Sequence, residues 1–494
     1  MYIGGQSDYL PGFMSPAALF CIVIAYFAVL LGVAWRTARH ANSASFFIGN
    51  RSSNWMLVAF GMVGTTLSGV TFISVPGAVG RDGFGYLQII GGYVLGYLAV
   101  ALILLPLYYR FKLTSIYHYL ALRLGPRSQQ SGAAFFILSR LLSATARLYL
   151  VVNILQATLL DGLGVPFWLT TLLILGMILL YTYAGGVKTI VWTDTLQTTG
   201  MLLGLLVCAG FLLQAMGLGP LESLARMQQQ GLARVVITAV DSPANVWKQV
   251  LAGIFIVLAM TGMDQETMQK NISIRTLRDA QKNMLLLTVV LTGVLALFLF
   301  LGGLLCLYAP TEGVTASGDQ LFPAVIMGHA PVAVQLVFFI GLVSALFPSA
   351  DGAITALTSS VCNDLLTLPQ RGLSEAQQVR WRHRIHLGFG ALFLALVLVF
   401  KWMNNPSMIG LILKLTSYTY GPLLGLFLFG MLTRRTVRDG LVPLVALSGP
   451  VLCYLIDTNQ AALFGSYRMG LELLVLNGAI VLGGLCLISS PQRT

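Results

Sequence analysis

Charge is what this sequence lacks. Asp, Glu, Lys and Arg make up 9% of its 494 residues while hydrophobic residues make up 57%, a balance too apolar for a soluble multidomain protein of this length. The basic excess of +12 does not point to nucleic acid, because Lys and Arg fall in short gaps between apolar runs and form no folded basic face. Cysteine is also sparse: Cys21, Cys208, Cys306, Cys453 and Cys486 lie inside apolar runs and Cys362 at the end of one, without metal-ligand spacing. They read as packing residues. No His-Glu zinc pair, Gly-x-Ser-x-Gly elbow or Cys/His couple occurs, and His40, His118, His329, His383 and His386 fall in or beside expected loops, which argues against an enzyme. Met1 to Met14 holds no Lys or Arg and no cleavage-like site, so the first apolar run reads as a retained helix. No stretch between the runs, nor the tail after Ser489, is long enough for an appended soluble domain.

Long apolar runs are what the chain has in abundance, and they make it an all-α polytopic membrane protein. Thirteen are expected. A leading helix covers about 16 to 35. Core helices one to ten cover about 54 to 79, 85 to 109, 132 to 160, 166 to 184, 188 to 216, 245 to 268, 283 to 309, 331 to 364, 385 to 402 and 407 to 432. Two trailing helices cover about 440 to 457 and 470 to 489. Basic residues retained on the cytoplasmic side orient the chain. With the N-terminus outside and the C-terminus inside, inner segments hold 20 Lys and Arg, Lys270 among them, against 6 in outer segments. The expected location is a cell membrane, crossed many times, of the bacterial inner-membrane kind.

The few polar residues inside these runs carry the functional signal. Core helix one contains Gly61, Gly64, Thr65, Thr66, Ser68, Gly69 and Thr71 at mid-membrane depth. Irregular backbone there is tolerated where it lines a cavity, and its freed carbonyls can hold a cation, although small residues also serve simple close packing. Arg140 and Arg147 lie seven residues apart on one face of core helix three, and each needs a carboxylate, carbonyls or a substrate. Gly185 and Gly186 make a tight turn ahead of Asp194 in core helix five. Core helix eight is interrupted by Ala345-Leu346-Phe347-Pro348-Ser349-Ala350-Asp351-Gly352. Asp351 admits three roles: a cation ligand, a proton carrier, or a fixed salt bridge to Arg147 or Lys414.

Four segments resemble the sodium/solute symporter family: Gly185-Gly186 with Trp192-Thr193-Asp194 and Gln197; Ser68-Gly69 with Pro76-Gly77; Thr261-Gly262-Met263-Asp264-Gln265 with Gln269; and Tyr420-Gly421-Pro422. They occur in the family's order and span nearly the whole chain. The resemblance implies a leucine-transporter-like 5+5 inverted repeat, residues 54–216 and 245–432, with core helices one and six broken and residues 16–35 and 440–489 outside it. It implies sodium as the co-transported ion and no organic cofactor. The principal sodium falls on the carbonyls of Gly64, Leu67 and Ala345 and on hydroxyls at 348 and 349, of which Pro348 lacks one and Ser349 keeps one. Some members bind a second sodium, using the aspartate matching Asp194 and hydroxyls that fall on Asp351 and Gly352. Asp351 can therefore repair the site lost at Pro348, since sodium prefers hard oxygen ligands.

On the substrate side, the Gly-Pro alignment places Lys414 where sugar-carrying members hold a sugar-binding glutamine. A buried ammonium there wants an anion, and with Arg147 it gives two buried cations against one buried aspartate, although Lys414 can equally point to an outer vestibule. The expected cavity lining is Thr65, Thr66, Thr71, Arg147, Met260, Thr261, Lys414 and Tyr418. Met260 and Thr261 replace the aromatics of sugar carriers, which disfavours glucose and favours sialic acid, another sugar acid or a small monocarboxylate. The expected activity is sodium-coupled symport by rocking of core helices one, two, six and seven. A proton-coupled or uncoupled carrier and a non-transporting solute sensor are the alternatives. The expected partners are a small solute and the lipid bilayer, with oligomeric state open.

Overall fold

The computed structural model describes residues 16–38, 46, 49–161, 164–240, 242, 244–403, 408–465, 467 and 469–491. Its described elements are almost entirely helical. Core helix one is two pieces, Trp55–Thr66 and Gly69–Asp82, meeting at 57° across Leu67 and Ser68. Core helix six breaks in the corresponding place, Val246–Gly262 against Gln265–Ile272 at 63°. Core helices two, three, seven and nine run unbroken over Tyr86–Arg110, Pro126–Leu155, Leu277–Glu312 and Glu375–Met403. Core helices four and five, Phe167–Tyr183 and Thr189–Met216, join through a reversal at Gly186, whose φ of 54° and ψ of −147° favour glycine. Core helix eight runs Val332–Leu346, tightens over Phe347–Ser349 and resumes as Asp351–Ser360. Core helix ten bends by 43° between Gly410–Thr419 and Gly421–Leu432.

Among the described residues, six helices are long and apolar enough to cross a membrane, and the three bent pairs bring that to nine. Four shorter apolar helices, Cys21–Thr37, Phe167–Tyr183, Val332–Ala345 and Leu473–Leu487, complete the set, so each expected run overlaps an observed apolar element. The protein is a multi-pass membrane protein. One small departure from an all-helical chain is an antiparallel pairing of Thr436–Val437 with Ser489–Ser490.

Local sequence explains the breaks. Asn54 starts core helix one by accepting the Met56 amide at 2.9 Å, and Asp264 restarts core helix six by accepting the Thr267 amide at 3.1 Å, both side-chain caps for otherwise orphaned donors. In core helix one the Thr66 hydroxyl donates back to the Met62 carbonyl at 2.8 Å, and the helix stops at Leu67, with φ −88° and ψ 95°. No described backbone amide then returns to the carbonyls of Gly64, Thr65, Thr66 or Leu67.

Two packing groups result. Core helices one, two, six and seven pack on one another, core helices three, five, eight and ten pack against them, and core helix nine packs on core helices three and eight. Core helices two and six touch most closely: a side chain on Gly92 or on Gly253 would collide with the opposing backbone carbonyl, of Val250 or Ile89 respectively.

Candidate functional site

Where the two broken helices meet core helices two, three, seven and ten lies a cavity of about 120 Å³. Core helix one supplies Thr65, Thr66 and Thr71, core helix six Met260 and Thr261, and core helix three Arg140 and Arg147. Core helix two adds Tyr86, Tyr93 and Tyr97, with the Tyr86 and Tyr93 hydroxyls 3.4 Å apart. Arg147 is partly buried and forms no ion pair with any described residue. A guanidinium held this way keeps its donors for whatever enters.

Lys414 and Tyr418 are not part of this lining. The Lys414 ammonium is 58% exposed and pairs with Asp457 of the first trailing helix at 2.8 Å, and Asp457 also accepts the Tyr418 hydroxyl. Core helix ten presents Ile412 and Leu413 to the cavity and turns the face that carries Lys414 and Tyr418 toward Asp457. Lys414 instead lines a second cavity of about 480 Å³ with Arg81, Asp82, Gln249 and Gln460. Tyr86 and Leu413 border both cavities.

Beneath the first cavity a chain of buried ion pairs joins the two packing groups. Asp194 of core helix five meets the Lys270 ammonium of core helix six at 2.7 Å, and Thr65 of core helix one bridges them, 3.0 Å from the carboxylate and 2.7 Å from the ammonium. Lys270 is 3.7 Å from Glu266, whose other oxygen is held by Arg140. Arg140 also approaches Asp264 at 3.9 Å, and Asp264 accepts the Tyr420 hydroxyl at 2.8 Å. Removing such charges from water is costly unless they are paired, which explains why the cluster is nearly closed on itself.

The expected ion site lies beside this chain. The break in core helix one packs closely on its neighbours: a Cβ on Gly64 would collide with the Thr198 hydroxyl of core helix five, and a Cβ on Gly69 would lie 3.5 Å from the Ala345 carbonyl oxygen of core helix eight. Asp351 is fully buried and accepts the Tyr181 hydroxyl at 2.7 Å. It pairs with neither Arg147 nor Lys414, so the fixed salt bridges expected for it are not made. The Ser349 side chain lies outside the described residues. Gln197, Thr198 and one oxygen of Asp194 leave buried polar atoms without a described partner around the same place. A hard cation fits this oxygen-rich set, with Gly64, Leu67, Ala345 and Asp351 as the residues that would hold it.

Several expectations need correction. Asp194 is expected as an ion ligand alone, but Lys270 and Thr65 hold one of its oxygens, and the other has no described hydrogen-bond partner. Lys270 is not a loop cation but is 2% exposed, since core helix six continues four residues beyond the apolar run that suggested its end. The buried charge set is not two cations and one aspartate but includes Asp194, Asp264, Glu266 and Asp351. His386 is not a loop residue either; it is buried between the hydroxyls of Thr182 and Thr358 at 2.9 and 3.2 Å. Glu266 and Tyr181 were not singled out. The spacing of Glu266 and Lys270, four residues apart on one helix face, was the available signal.

A helical bundle whose two broken helices meet at a buried cavity has the architecture of a secondary transporter. The family model described as "Sodium:solute symporter family" matches residues 46–449, and the chain belongs to that family. It is 27% identical to the sodium-dependent multivitamin transporter of Oryctolagus cuniculus over 78% of this chain and 61% of that one. It is 26% identical to the sodium/iodide cotransporter of Homo sapiens over 84% of this chain and 64% of the relative, and 24% identical to sodium-coupled monocarboxylate transporter 2 of Mus musculus over 80% and 64%. The chain thus spans less than two thirds of the length of these relatives. Its fold matches a solved Na⁺-coupled sialic acid symporter with a TM-score of 0.81 over 95% of this chain and 97% of that one, at 18% identity. A nucleobase-cation-symport-1 family transporter, Mhp1, matches with a TM-score of 0.55 at 12% identity, over 88% and 92%. These neighbours confirm the leucine-transporter-like fold.

Proposed function

We propose that this protein is a sodium-coupled symporter of a small monocarboxylate, lying in a bacterial inner membrane with thirteen crossings, N-terminus outside and C-terminus inside. The observation that carries the reading is Arg147, a partly buried guanidinium without an ion pair among the described residues, in a cavity walled by three tyrosines, several threonines, Arg140 and apolar side chains. An apolar protein cavity of about 150 Å³ accommodates benzene, so one of about 120 Å³ has room for a small monocarboxylate. Lys414, held by Asp457, plays no part in this selection.

Sodium binds between core helices one and eight, on the carbonyls of Gly64, Leu67 and Ala345, the Ser349 hydroxyl and the Asp351 carboxylate. Asp351 supplies the hard oxygen that Pro348 cannot. By bridging a helix of each packing group, the ion favours one arrangement of the two, and rocking of core helices one, two, six and seven then alternates access.

Uptake of acetate, lactate and benzoate into proteoliposomes, with and without a sodium gradient, tests this. Sodium-driven uptake is expected, blocked by carboxylates and not by their neutral amides. Equal competition by an amide would sink the anionic substrate. Uptake that follows a proton gradient alone would move the coupling to Asp351 protonation, and absence of counterflow would leave a sensor. Asp351→Ala should abolish sodium dependence and Ser349→Ala weaken it; full sodium dependence in Asp351→Ala refutes the ion assignment.

A further inference from the structure

Glu266 belongs to none of the functions assigned above, yet it occupies the one place that touches both ends of the site. One carboxylate oxygen is held by Arg140, which lines the central cavity. The other has no hydrogen-bond partner among the described residues, and the side chain is 2% exposed. That oxygen is aimed at core helix eight: a Cβ on Gly352, the residue after Asp351, would collide with it. Arg140 is correspondingly incomplete, since its Nε has no described hydrogen-bond partner. A fully satisfied salt bridge would leave neither group wanting; here a cavity-lining residue keeps one donor without a described hydrogen bond, and the carboxylate oxygen facing the ion-binding helix has Lys270 at 3.7 Å but no described hydrogen bond.

We infer that Glu266 is the positioning residue through which the anionic substrate and the cation sense each other, passing between Arg140 at the cavity and the Asp351–Gly352 segment of core helix eight. The inference rests on the anion and ion sites proposed above. A carboxylate drawn into the cavity by Arg147 also attracts Arg140, which lines the same cavity, and so competes with Glu266 for the Arg140 guanidinium. Glu266 then carries more uncompensated negative charge beside Asp351, and a cation between the two carboxylates relieves their repulsion. Binding free energies are reciprocal, so a cation that draws Glu266 toward core helix eight frees Arg140 for the substrate by the same factor. Gly352 is required because any side chain there would push the carboxylate away. Lys270, 3.7 Å away, limits how far Glu266 moves.

The measurement is the sodium half-saturation concentration of purified full-length protein, with and without a saturating amount of whichever of acetate, lactate or benzoate is transported. In the unaltered protein the carboxylate should lower that concentration by about tenfold, within the usual range of coupling between sites. In Glu266→Gln the ratio should fall to within about twofold while each ligand alone still binds, and Glu266→Asp should restore part of it. Gly352→Ala, which alters no charge, should lower the ratio in the same way and remains readable if Glu266→Gln fails to fold. A structural salt bridge would change stability and leave the ratio near its original value. An unchanged ratio in a folded Glu266→Gln or in Gly352→Ala overturns the inference alone. Absence of any sodium effect in the unaltered protein overturns the transport reading on which it rests.

Discussion

Arg147 and Lys414 carry the same charge and differ in what already holds them. Arg147 faces a cavity with no carboxylate in its lining, whereas Lys414 spends its charge on Asp457 at 2.8 Å and its side chain is 58% exposed. A charge-assisted hydrogen bond contributes about 1.5–3 kcal/mol, so Arg147→Gln should raise KM for the carboxylate by roughly 10- to 150-fold in uptake kinetics. An exposed ion pair contributes at most about 1 kcal/mol, so Lys414→Gln should change KM by less than about fivefold. If the two variants weaken uptake equally, the assignment of the anion to Arg147 is wrong. Tyr181→Phe tests Asp351 from the other side: losing its only side-chain donor among the described residues should shift sodium half-saturation and leave substrate selectivity unaltered.

Core helix one shows how an element creates a site that no single residue contains. Its carbonyls become available because the helix stops at Leu67, and Gly64 lets this stretch of backbone approach Thr198 of core helix five. Gly64→Ala should therefore lower both melting temperature and sodium affinity, and Thr198→Ala in the same chain should recover part of each by removing the hydroxyl that the new methyl strikes. Recovery of stability without any recovery of sodium affinity would show that the close approach serves packing only. The break itself was legible: a run of Thr, Ser and Gly at mid-membrane depth states that the backbone is not an ordinary span. The end of core helix six was not legible. Its last turn carries Gln269, Lys270 and Asn271, and hydropathy reads such a turn as a loop although tertiary pairing buries all three residues.

At the scale of the molecule, the ties between the two packing groups are polar and concentrated. Asp194 and Arg140 belong to the surrounding helices, Lys270, Glu266 and Asp264 to core helix six, and core helix one approaches core helix eight at Gly69. A cation that binds the folded form alone stabilises it by about 2.7 kcal/mol at one hundred times its dissociation constant. Sodium, compared with potassium at equal ionic strength, should raise the apparent melting temperature of the purified protein, and Asp351→Ala should erase that rise. A rise that persists in Asp351→Ala would place the ion elsewhere.

Hydropathy and a few motifs determined by themselves that the chain crosses a membrane many times, that core helices one and eight are interrupted, and that Arg147 and Asp351 need an explanation. These follow from local composition, because lipid imposes the same requirement on every segment: apolar side chains outside and every backbone group paired or facing a cavity. The partners of the buried charges were decided by the tertiary structure alone. Lys270 joins Asp194 across 76 residues, Glu266 joins Arg140 across 126, and Lys414 turns to Asp457. Sequence spacing fixes which residues share a helix face, but which helix that face meets depends on how all the spans pack, and a buried charge takes whichever partner that packing brings within reach.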